Sequence, residues 1–249
     1  MTIVTIVGLG FVILFVILMS LFWSRERKQL RQNLRLIPAF SKLKHGIHMS
    51  VEAGQRLHLS LGHGGITGQT STSTFLGLSL LQRIARAAMF SDRPPVTTNG
   101  EAAQAFLSQD ALHSAYRAVN VESQFDPDAA QISGLTPFSF AAGSLPTIYD
   151  QQVSLNIMTG SFGSEIGLIA DAAEQTNSVS LGGSENLAAQ AVMYAAIQEP
   201  LIGEEFFAAG AYAQAGPMHT ASLRAQDVLR WLLIGVILAG AALKLAGVL

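Results

Sequence analysis

The chain has 249 residues, 15 of them basic and 17 acidic for a formal charge of −2, and it contains no cysteine. That lack excludes disulfides, thiolate nucleophiles, iron–sulfur clusters and cysteine-ligated zinc, and it suits a reducing compartment. The near-neutral total hides a division: residues 45–227 hold six arginines, no lysine and sixteen acidic residues, a formal charge of minus ten. A nucleic-acid partner, which needs clustered lysine and arginine, is therefore not expected.

Taken in chain order, residues 2–23 carry no charge and residues 231–249 carry only Lys244. Each run is close to the ~20 apolar residues that cross a bilayer. The expected organisation is a transmembrane helix over 1–23, a basic juxtamembrane helix and linker over 24–44, an α/β domain over 45–227 and a second transmembrane helix over 228–249. Arg25, Arg27, Lys28, Arg31, Arg35, Lys42 and Lys44 follow the first span, and Arg224 and Arg230 precede the second. Basic residues flanking a span are retained on the cytoplasmic side, so the domain is expected there with both termini outside. No basic residue precedes the first span, which ends in Leu21, Phe22 and Trp23, so it reads as an anchor and not a cleaved leader. The basic collar serves topology, or it also attracts anionic headgroups at about 1 kcal/mol per charge. Over 24–36 the helix is expected to continue, with Leu30, Leu34 and Ile37 on one side, until Pro38 ends it.

Between the collar and the second span, short β-prone runs alternate with longer helical ones. The pattern predicts strands over 57–61, 96–98, 130–133, 153–158, 178–181 and 200–202. Helices are predicted over 74–90, 101–119, 137–150, 164–175, 185–197 and 205–215. Strand followed by helix, six times, gives the α/β class: a Rossmann-like, doubly wound, mostly parallel sheet flanked by the two terminal helices. Phe75, Leu76, Leu78, Leu80, Leu81 and Ile84 leave the first of these helices little polar face, which predicts burial on more than one side. In the second span Gly235, Ala239, Ala242 and Ala246 form a small-residue stripe, the means by which helices associate in lipid. Its partner is either the first span, with Gly8 and Gly10, or a neighbouring chain's helix.

The loop Gly62-His63-Gly64-Gly65-Ile66-Thr67-Gly68 follows the first strand, where dinucleotide-binding folds cradle a pyrophosphate on backbone amides. Thr67 stands in the third glycine's place, the polar run 69–74 delays the helix, and the second strand ends in Thr97, Thr98 and Asn99, not an acid suited to a ribose. The loop is thus either a turn without a ligand or the seat of a nucleotide-like ligand, held by Gly62, His63, Gly64, Gly65, Thr67 and Gly68 with Asn99 and Glu204 at neighbouring strand ends. A domain without lysine has no P-loop lysine. Glu165, Glu185, Glu204 and Glu205 open helices, where a carboxylate complements the helix dipole or, paired, divides acid and base roles. Of six histidines only His45 and His48 share a helical face, without a third ligand, so no metal and no cofactor is expected. Gly160-Ser161-Phe162-Gly163 lacks the nucleophile-elbow order and reads as a turn.

The motifs Leu36-Ile37-Pro38, Gly62-His63-Gly64-Gly65, Val96-Thr97-Thr98-Asn99, Phe140-Ala141-Ala142-Gly143 and Leu201-Ile202-Gly203-Glu204-Glu205-Phe206 lie within 36–231. Over that stretch the chain resembles a bacterial family of membrane-anchored proteins described as a domain of unknown function. The resemblance implies a bacterial inner membrane and carries no activity, cofactor or catalytic residue with it. Two functions are expected: a non-catalytic structural or scaffold subunit, associating with itself or with other membrane-complex subunits and with membrane lipid, or a membrane-tethered enzyme or sensor using the glycine-rich loop.

Overall fold

The computed structural model describes residues 3–26 and 34–246. They divide into two compact units, Arg35–Ala215 and the paired chain ends Met1–Leu34 with Gly216–Leu249.

In the first unit six strands form one sheet: β1 (Arg56–Gly62), β2 (Val96–Asn99), β3 (Ala130–Ile132), β4 (Val153–Ser161), β5 (Val179–Gly183) and β6 (Glu199–Leu201). Their order is β3-β2-β1-β4-β5-β6, and every pairing is parallel. This is the doubly wound Rossmann arrangement. Strand order reverses between β1 and β4, where Leu57 pairs with Leu155 and Gly62 with Ser161. The strands are joined by α3 (Ser71–Ala88), α4 (Ala102–Ala118), α5 (Pro137–Asp150), α6 (Ile166–Gln175) and α7 (Leu187–Ala196), and α8 (Glu204–Tyr212) follows β6.

Side chains alternate across each strand, so β1 sends Leu57, Leu59 and Leu61 to one face and His58 and Ser60 to the other. The leucine face packs with Leu155, Ile157 and residues of α3, α4 and α8 in one core. On the opposite face Met158 packs with Phe140, Ile148, Ile169 and Met193 of α5, α6 and α7. Beside that second core the sheet is polar. His58 is fully buried between β2 and β4, its Nδ1 2.8 Å from Asn156 Oδ1 and its Nε2 2.9 Å from Thr98 Oγ1. An amide oxygen only accepts, so Nδ1 donates to Asn156 and Nε2 accepts from the Thr98 hydroxyl. Burial pushes the His58 pKa down to about 4, against the smaller upward pull of the Asn156 bond.

Two sequence expectations change. Pro38 begins a helix, α2 (Pro38–Glu52), instead of ending one. At the first helical position proline's missing N–H costs nothing and its fixed φ already suits the helix. α2 lies inside the compact unit Arg35–Ala215. Two bases of the expected collar, both exposed, pair with acids of the α/β unit: Arg35 Nη2 lies 2.5 Å from Glu205 Oε1, and Lys42 pairs with Glu199. Of the expected continuation of the first helix over 24–36, residues 27–33 fall outside the described residues, while 24–26 are helical and 34–37 are not. Also, β4 runs on through Ser161, so Gly160 and Ser161 are strand and not turn.

The second unit pairs α1 (Ile3–Glu26) with α9 (Pro217–Leu245), which pack against each other. At 24 and 29 residues they extend roughly 36 and 44 Å at 1.5 Å per residue, enough for a hydrocarbon core of about 30 Å. Along α1 the half-buried residues are Leu14, Leu18 and Phe22 with Phe15, Met19 and Trp23, a stripe at helical spacing. Gly235, Ala239, Ala242 and Ala246 lie exposed on α9, and a Cβ added at Gly8, Gly10 or Gly235 would meet nothing within 4 Å. The small-residue stripe is thus open in the single chain.

Candidate functional site

In a parallel sheet all strands end at one edge, and ligands of doubly wound folds bind there beside the switch point. The loop leaving β1 sits at that place. Gly62 adopts φ +72°, and a Cβ there would stand 2.2 Å from the Ser161 carbonyl oxygen, so only glycine permits this approach to β4. His63 N donates to Ser161 O over 3.1 Å, and Gly100 N donates to Gly62 O over 2.9 Å. These bonds tie the ends of β1, β2 and β4 together. A Cβ at Gly64 would lie 2.8 Å from both Ser161 Cβ and Thr74 Oγ1, so that residue too is packed.

Besides His63 N, two more of the amides expected to cradle a phosphate are used within the chain. Gly65 N donates to Thr70 Oγ1 over 3.1 Å, and Ile66 N donates to Glu101 Oε2 over 3.1 Å. Glu101 thus puts a carboxylate where a ligand phosphate would be held, and a second anion next to it is repelled. Thr67 and Gly68 project away, exposed. Asn99 is fully buried and its side chain is consumed: Nδ2 donates to Thr97 Oγ1 and Gln131 O, and Oδ1 accepts from Ser108. Glu204 stands in the first turn of α8 after β6, three strand positions from β1, roughly 14 Å at the usual strand spacing. The structure therefore gathers Gly62, His63, Gly64 and Gly65, while the Asn99 side chain is engaged elsewhere and Glu204 stands three strands away.

One pair at the switch point was not foreseen. Glu165, only 2% exposed, accepts from Gly163 N over 2.7 Å, and its Oε1 lies 3.4 Å from His63 Nδ1. That separation suits an ion pair when the imidazole is protonated, yet the buried Nδ1 makes no hydrogen bond among the described residues. The remaining helix-opening acids are dispersed: Glu185 precedes α7, while Glu204 and Glu205 open α8. Among the described residues no three histidine or acidic side chains are placed to hold a metal ion.

Fold and site together define a Rossmann-type α/β unit joined to two long apolar helices, with a glycine-rich loop bonded to Thr70 and Glu101. The family described as Domain of unknown function (DUF6754) matches residues 2–249, and the chain belongs to it. No curated protein and no solved structure matches the chain.

Proposed function

We propose that this chain is a non-catalytic scaffold subunit, anchored in a membrane by α1 and α9, whose α/β unit associates with further copies of itself. The observation that carries this reading is the apolar surface at the carboxyl edge of the sheet. Phe106 in the opening turns of α4 is 70% exposed, Leu135 before α5 is 74% exposed, Phe138 is 64% exposed, and Leu187 at the start of α7 is 80% exposed. Ile132, Leu168 and Ile202 add to the same edge. Single exposed apolar residues are ordinary, but large ones at successive loops of one edge mark a surface that a protein covers. The loop points the same way, since the amides of His63, Gly65 and Ile66 already donate within the chain. The basic residues around Arg25 and Lys44 favour a cytoplasmic position for the unit.

The test is the particle's mass in detergent for the natural chain and for the pair Leu135→Asp with Phe138→Asp. The natural chain runs as a multiple of 26.4 kDa, and the double variant, still folded by circular dichroism, runs as a smaller particle. A monomeric natural chain removes the proposal.

The tethered enzyme or sensor reading is favoured by one observation, the buried unpartnered His63 Nδ1 facing Glu165. It requires a small molecule released on denaturation of the purified protein and lost in His63→Ala, which mass spectrometry detects.

A further inference from the structure

A pocket of about 340 Å³ lies between α2, the end of α3 and the end of α8, at the small end of the range for ligand sites. Its floor is apolar: Phe40, Leu43, Ile47 and Ile84. The Phe40 ring stacks on Tyr212 with centroids 4.6 Å apart and planes 10° apart, which makes one wall. At the rim stand Lys44, His48 and Arg83, and no lining residue is acidic, although the surrounding domain is strongly acidic. Lys44 and His48 are one helical turn apart on α2, both exposed, and Lys44 makes no ion pair among the described residues. Arg83 Nε donates to Ala213 O over 3.1 Å, which holds its guanidinium beside the opening.

Chain connectivity adds a second argument. The α/β unit begins at Arg35 and ends at Ala215, and Tyr212 Oη donates to Arg35 O over 2.6 Å, so both ends are fastened together. The pocket is built from the first helix after one of these ends and the last residues before the other. Along the chain, Gln214 of the lining stands three residues before Pro217, where α9 begins. An apolar floor with a purely basic rim is the complement of an anionic amphiphile, with headgroup at the rim and hydrocarbon inside.

We propose that this pocket binds one anionic phospholipid, its phosphate on Lys44, His48 and Arg83 and an acyl segment against Phe40, Leu43 and Ile47. The site goes beyond the scaffold reading and rests only on its membrane anchoring.

The test uses the full chain in mild detergent, titrated with phosphatidylglycerol, phosphatidylcholine or inorganic phosphate and followed by native mass spectrometry. The expected result is one phosphatidylglycerol per chain, retained about tenfold better than phosphatidylcholine and not displaced by inorganic phosphate. Lys44→Glu with Arg83→Glu removes the preference. Ala87→Trp, which fills the pocket from an exposed position, removes retention of both lipids and serves as the test should the charge variant misfold. Equal retention of both lipids, a preference that survives both variants, or displacement by inorganic phosphate overturns the proposal. Carbonate extraction of native membranes separates the two ideas: release of the chain defeats the anchoring, whereas a retained chain without lipid preference defeats the pocket alone.

Discussion

His58 gives the fold a defined pH dependence. Its folded pKa is about 4 against an ordinary 6.5, because the ring is fully buried in the sheet and its charged form loses water. A depressed histidine pKa means that the unfolded chain takes up a proton first. Stability is therefore complete above 6.5 and is lost as pH falls toward 4. Over the whole window the linkage amounts to about 3 kcal/mol, at about 1.4 kcal/mol per pKa unit, and between pH 7 and pH 5 to about 2 kcal/mol. For a domain of this size 1 kcal/mol moves the melting temperature by about 2–4 °C. The natural chain in detergent should then melt about 4–8 °C lower at pH 5 than at pH 7, measured by tryptophan and tyrosine fluorescence. His58→Gln keeps an amide donor for Asn156 and does not titrate, so its melting temperature falls far less over that interval, whatever its absolute stability. Equal slopes for the two proteins would refute the reasoning.

Gly62→Ala combines φ +72° with a methyl group 2.2 Å from the Ser161 carbonyl oxygen, so it should lower stability by more than about 2 kcal/mol in chemical or thermal melts. Gly68→Ala, at φ +91° with open space around its Cβ, should cost only about 1 kcal/mol of backbone strain. Glu101→Ala strips Ile66 N of its partner and should cost about 1–2 kcal/mol. Added ATP or NAD should shift the melting temperature of neither that variant nor the natural chain. Gly235→Leu, with nothing within 4 Å of its Cβ, should leave the α/β unit's melting unchanged while lowering cross-linking between copies, since the open stripe is where a neighbour's helix would pack.

All six strands and the helix that follows each are legible as runs, since β-branched or apolar stretches alternate with helical ones and glycine stands at the turns. The parallel sheet follows from the βα repeat, because parallel neighbours need a crossover. α2 is hidden in the sequence because proline both disfavours helix in the residue before it and suits a first helical position, and Pro38 does the second. The closure of the glycine-rich loop was hidden for a different reason. Ile66 and Glu101 are 35 positions apart, and a bond of that span depends on β1 and β2 lying side by side, which no local pattern encodes. The same holds for Glu165, visible as a helix-opening acid but not as the neighbour of His63. His58 carried a signal that alternation could have exposed: it lies between Leu57 and Leu59, so it faces away from the leucine core, and its polar partners follow from the strand registers.

Self-association anchored in a membrane is the central claim, and counting chains in particles extracted with native lipid by a polymer tests it without detergent. Mass photometry should give particles holding several copies of the chain, each 26.4 kDa, at nanomolar concentration. A population of particles with one copy each would contradict it.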